Sequence, residues 1–120
     1  MTDQPIPSVT EVDVERIARR DFPPDMIDEV LAVLLEYGTE AWEREVPRVR
    51  LAVLKLADGD LERLRFHMGV ARLDYRDVLA PAEYPGYLRR VSPAGNLPET
   101  EIQRIIDGDW KQYQAWLKRS

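Results

Sequence analysis

The chain has 120 residues, 44% hydrophobic and 32% charged, with a net charge of −5 and no cysteine. That length suits one ordinary domain, the composition is too apolar for intrinsic disorder, and disulfide scaffolds, cysteine nucleophiles and thiolate metal sites are excluded. The acidic balance argues against general attraction to nucleic acid or anionic membrane; with no apolar run near the roughly 18 residues of a membrane span and an acidic start unlike a signal peptide, a cytoplasmic protein is expected.

Helical periodicity runs nearly everywhere and strand alternation is absent. In "PSVTEVDVERIARRDF" two caps compete, Ser8 with Glu11 and Thr10 with Asp13, so a first helix begins near residue 9 or 11. Pro23 and Pro24 end it and open the second, "DMIDEVLAVLLEYG", whose apolar residues from Met26 to Tyr37 spread over more than half its circumference. This predicts a central core helix that stops at a left-handed Gly38, with Thr39 capping the next segment. "TEAWEREVPRVRLAVLKLADG" reads as a third helix with a kink or break near residues 43 to 47, where Pro47 falls.

"DGD" at 58 to 60 predicts a tight corner, with Gly59 as stop and Asp60 as the following cap. A fourth helix then carries Leu61, Leu64, Met68, Ala71, Tyr75 and Val78 at alternating spacings of three and four. Gly69 interrupts it at a cost of about 1 kcal/mol relative to alanine, which usually marks a close backbone approach. Pro81 is expected to end this helix. Residues 81–98 hold four prolines and two glycines and read as a long loop. The tail is helical again, entered through Pro98 and interrupted at Gly108, with an Asp109–Gln112 cap box opening a last helix that bears Trp110, Tyr113, Trp116 and Leu117. The expectation is an all-α, single compact domain over residues 1–120, with five or six helices, helices two to four central, and residues 1–8 flexible.

Little catalytic chemistry survives inspection. His67 is the only imidazole, and the residues three and four away (Arg63, Leu64, Val70, Ala71) include no carboxylate, so helical metal-site spacings are missing and a half-buried structural histidine is expected. Ser8, Ser92 and Ser120 lie in terminal or loop sequence without a nucleophile elbow, and the scattered glycines form no phosphate cradle. No catalytic residue, cofactor or metal is therefore expected. The segment from Arg44 to Arg76 is mildly basic, eight basic residues against five acidic, and contains two helices joined at Gly59. A helix-turn-helix would, however, place Lys55 and Arg65 at packing positions, and nucleic acid is not the expected partner.

The stretch "LDYRDVLAPAEYP" gathers the residues with most to offer. Asp74 and Asp77, a turn apart near a helix C-terminus, need positive partners against the helix dipole. Arg89 or Arg90, returned by the loop, would make the segment a clasp. Left unpaired, Asp74, Asp77, Glu83, Tyr84 and Tyr87, with Arg89 and Arg90, would form a ligand or partner surface. Trp110, Tyr113 and Trp116 read as core in preference to a docking stripe.

The combination "EYG", "VPRVRLAVLKLADGDLERL", "ARLDYRDVLAPAEYP" and "DWKQYQAWL", over about residues 36 to 117, resembles a family of small bacterial proteins with no known activity. The resemblance implies a bacterial cytosolic origin, which fourteen arginines against three lysines suit, and carries no site residue. The leading expectation is a non-catalytic binding or regulatory protein acting through protein–protein contacts, with another protein or itself, as a homodimer, for partner. DNA binding at the Gly59 corner and a carboxylate-dependent enzyme using Asp74, Asp77 or Glu83 are the alternatives.

Overall fold

The computed structural model describes residues 4–91 and 96–120. The remaining positions, which include Ser92 and part of the expected 81–98 loop, lie outside the described residues. The architecture is all-α: α1 (Glu11–Asp21), a single 3-10 turn (Pro24–Met26), α2 (Ile27–Leu34), α3 (Val46–Ala57), α4 (Leu61–Leu73), α5 (Arg76–Glu83), α6 (Pro85–Arg90) and α7 (Glu99–Lys118).

α1 starts where Thr10 donates its backbone N–H to the Asp13 carboxylate at 3.0 Å, half of a capping box. Its Val14, Ile17 and Ala18 enter the core. The centre of the molecule is α3, in which every residue from Val49 to Leu54, together with Ala57, is buried. α3 lies between α4 and α5 and also packs on α1. An apolar circumference of this kind is stable only when enclosed on most sides. α2, expected to be central, is shorter and more peripheral: it stops at Leu34, and Leu35 is 58% exposed. Thr39 caps no helix, and residues 35–45 contain none. α3 begins at Val46 with Pro47 in its first turn, where a missing N–H costs nothing.

The Gly59 corner forms as the sequence predicts. Asp58 and Gly59 take left-handed φ values of 51° and 79°, and the Asp60 carboxylate accepts the Arg63 N–H at 3.0 Å. The fourth helix departs from expectation by dividing. Asp74 adopts an extended conformation, and its carboxylate accepts the Arg76 N–H at 3.0 Å, an Asx turn that restarts the chain as α5. Tyr75 therefore precedes α5 and Val78 sits on it, apart from Leu64 and Met68 on α4, although Val78 is still fully buried.

Two further expectations are corrected. Pro81 lies inside α5, which runs on to Glu83, and residues 85–90 form α6, so much of the expected loop is helical. α6 forms because Asp109, from α7, accepts the N–H groups of Gly86 and Tyr87 at 2.9 Å each, closing both carboxylate oxygens on the helix start. With Asp109 so engaged, no cap box opens at residue 109, and α7 is one uninterrupted helix of 20 residues through Gly108. Gly86 is required for this contact, since a Cβ there would stand 2.8 Å from the Asp109 carboxylate. Gly69 has no such reason among the described residues: it is exposed, and a Cβ on it would meet none of them within 4 Å.

Tyr113 and Leu117 of α7 join the main core, while Trp116 packs half-buried against it, beneath the Arg20 guanidinium at 5.3 Å from the ring centroid. Arg20 also donates to the carbonyls of Trp116 and Arg119 at 2.6 and 2.8 Å, tying the ends of α1 and α7 together. At the other terminus the Tyr84 hydroxyl donates to the Pro5 carbonyl at 2.7 Å, and Pro7 is buried.

Candidate functional site

The seven residues singled out around α5 and α6 do not share one surface. Glu83 is 2% exposed and forms a two-pronged ion pair with Arg48 of α3, with N–O distances of 2.6 and 2.7 Å. Tyr84 is buried beside it, and Tyr87 is half-buried with its backbone N–H on Asp109. Asp74 pairs with its neighbour Arg76 at 2.8 Å, which holds its carboxyl below the usual range. Arg90 pairs with Glu101 of α7 at 3.0 Å, not with either aspartate. Asp77 and Arg89 are exposed. The expected clasp through Arg89 or Arg90 does not form: Arg76 takes Asp74, Arg48 takes Glu83, and α6 is fastened to α7 by Asp109 and by the Arg90–Glu101 pair.

Charge is placed structurally elsewhere too. His67 is half-buried, and burial, helped by the nearby Arg63, lowers its pKa. Lys55 and Arg65, the charges that spoil a helix-turn-helix, are respectively half-buried and exposed, and Arg65 pairs with Glu29 on α2. Among the described residues no group of three or more His, Cys, Asp or Glu is placed to hold a metal ion, and no helix is long and apolar enough to cross a membrane.

The best-organised irregular segment is residues 35–45, part of which the sequence reads as the start of a third helix and none of which it marks as a candidate site. Glu43 is buried, and a single oxygen, Oε1, accepts the N–H groups of Gly38, Thr39 and Glu40 at 2.9, 2.9 and 3.0 Å. Burial alone would raise the pKa of this carboxyl; the three N–H donors and the Arg72 charge more than offset it, so Glu43 titrates below its ordinary value. Tyr37 is fully buried and donates its hydroxyl to the Arg44 carbonyl at 2.6 Å. Arg50 reaches back from α3 and donates twice to the Tyr37 carbonyl, at 2.6 and 3.1 Å. Gly38 has φ +112°, and a Cβ on it would lie 2.8 Å from the Arg50 guanidinium and 2.9 Å from Val46, so two separate constraints require glycine.

These bonds fix a loop whose tip turns outward, leaving Trp42 57% exposed. Between α1 and α2 lies an open recess of about 230 Å³ walled by Val14, Leu31, Leu34 and Leu35. At its base Arg50 bonds Glu11 at 3.0 Å through the nitrogen not used on Tyr37. Arg50 and Leu35 line this recess, and they also belong to the loop: Leu35 begins it and Arg50 holds its Tyr37 carbonyl. The signal in the sequence was the run "EYGTEAWERE", in which Glu43 follows the turn glycine closely enough to cap it.

The chain matches no protein-family model, no curated protein and no solved structure. What the surface can do rests on its own geometry. It offers an apolar recess edged by a guanidinium–carboxylate pair, and, on the loop that Arg50 holds, one exposed tryptophan.

Proposed function

We propose that this is a non-catalytic binding protein that acts through protein–protein contacts at the α1–α2 recess and the 35–45 loop. The observation that carries the reading is the rigid presentation of Trp42: a buried carboxylate, a buried tyrosine and a buried arginine are all spent on fixing a loop whose exposed product is one large aromatic. Exposed aromatics held on a fixed backbone lose little entropy on binding, which is why they recur as interface anchors. The candidate residues around α5 and α6 support the fold in this reading, through Glu83–Arg48 and Arg90–Glu101, and leave Asp77 and Arg89 as peripheral surface charges.

The test is differential capture. Immobilised wild-type chain and a Leu35→Glu/Trp42→Ala variant are exposed to extract from the source cells. Both substituted positions are exposed, so the variant keeps its helical circular dichroism and cooperative melting. A protein retained by the wild type and lost by the variant is the expected result. Identical capture by the two, or none by either, would sink the reading.

A further inference from the structure

The segment that leads into α1 lies along the body of the protein by one edge. Pro5 and Val9 are half-buried and Pro7 is buried, whereas Gln4, Ile6, Ser8 and Thr10 are exposed. Every second residue faces inward, the period of an extended chain. The Tyr84 hydroxyl, at the junction of α5 and α6, donates to the Pro5 carbonyl at 2.7 Å, and Val9 packs against the main core. Among the described residues this is the one hydrogen bond that residues 4–9 make. The bond that starts α1, from the Thr10 N–H to Asp13, involves none of them. Two prolines suit such a seat. Each has φ fixed at about −65° and no N–H to satisfy, so the segment is extended before it docks and loses little entropy in docking. Aromatic side chains that receive a proline-bearing chain are a recurring means of recognising such segments, and a tyrosine adds a polar tip for a carbonyl. Here the segment received is the chain's own.

We propose that the seat at Tyr84 is a docking site for an extended, proline-bearing segment of another protein, and that residues 4–9 occupy it as an autoinhibitory strap. The chemistry of the partner is read from the strap: apolar residues at alternate positions, two of them prolines, with a carbonyl at the first for the Tyr84 hydroxyl. A segment held by side-chain burial and one neutral hydrogen bond lifts away far more readily than a helix, whose backbone bonds must break together. Its tether, however, keeps it at a high effective concentration over the seat, so a partner in trans competes with the strap before it binds. Displacement leaves the Thr10–Asp13 start of α1 in place and frees the Tyr84 hydroxyl for the carbonyl of the incoming chain. The seat shares no residue with the Trp42 loop or the α1–α2 recess, and the inference does not rest on that surface.

The probe is a fluorescently labelled peptide with the sequence of residues 4–10, QPIPSVT, titrated against the intact chain by polarisation. Pro7→Asp frees the seat, because a carboxylate cannot stay buried there without a partner. Pro5→Asp does the same from the other proline, so a folding defect in one variant leaves the other to decide. Circular dichroism and cooperative melting identify the folded variant. A freed variant should bind the peptide at least tenfold more tightly than the wild type does, since its own strap no longer competes. A control peptide with aspartate for its second proline should not bind. Adding Tyr84→Phe to the freed variant should weaken binding about fivefold, the share of one neutral hydrogen bond. Freed, folded variants that bind no peptide up to about 1 mM overturn the proposal. So does equal binding by wild type and variant, or an affinity that Tyr84→Phe leaves unmoved. A wild type whose mass rises with concentration from 13.9 kDa toward twice that, and does not in Pro7→Asp, would show two copies exchanging straps and overturn the reading of a separate partner.

Discussion

Glu43 shows how much one side chain can organise. An ionised carboxylate accepting three backbone N–H bonds in a buried site is worth more than the neutral contacts it replaces, since bonds to a charged group contribute about 1.5–3 kcal/mol against about 0.5–1.5 for neutral ones. Because the folded protein holds the group ionised below its ordinary value of 4.5, the unfolded chain takes up the proton first as pH falls. The loop's contribution is therefore complete above that value and is lost as pH drops through the lower, folded value. Glu43→Gln keeps an acceptor oxygen and removes the charge. It should cost about 1–3 kcal/mol at pH 7 in urea unfolding and much less near pH 3. An equal penalty at both pH values would mean that charge is not what fixes the loop.

At the scale of elements, α6 is the instructive case. It has six residues, too short to persist alone, and its local sequence offers only Pro85 as a helix start. The missing acceptor comes from Asp109, so Asp109→Ala should cost about 2 kcal/mol or more, removing a cap whose two bonds are charge-assisted. Hydrogen exchange should quicken at Gly86 and Tyr87 before it does in α3; unchanged protection at those two amides would refute the cap. The same case explains what could be read in advance. The capping box of α1, the Gly59 corner and the core stripe of α4 are set by neighbours within four residues, and they were legible. α6 and the unbroken α7 depend on one contact across more than twenty residues, which leaves no periodic trace; prolines and glycines there looked like loop because their partners were out of view. The site was harder still. Glu83 looked available for chemistry because nothing near it in sequence hints at Arg48, 35 residues away, and the turn at Gly38 gave no sign that Glu43 would close it.

Across the whole molecule, buried charge joins what apolar packing alone leaves separate. The Arg48–Glu83 pair connects α3, the enclosed centre, to the end of α5, close to where α6 begins. Removing one partner strands the other: Arg48→Met leaves Glu83 unpaired at 2% exposure and should cost about 3–5 kcal/mol. Arg48→Met with Glu83→Leu removes both charges and should recover most of that loss, because a desolvated pair contributes little net stability over apolar side chains of similar volume. Urea titration of both variants measures the difference, and a double variant no more stable than the single would show that the pair stabilises in its own right.

The capping of α6 by Asp109 also sets an order of events during synthesis. A chain leaving the ribosome exposes residues 85–90 well before residue 109 emerges, and during that interval the N–H groups of Gly86 and Tyr87 have only water to bond. Residues 11–83 can collapse around α3 as they appear, while α6 waits for α7. A nascent chain stalled with Asp109 still in the exit tunnel thus lacks both the cap of α6 and the core side chains Tyr113 and Leu117, so a segment made later finishes one made before it.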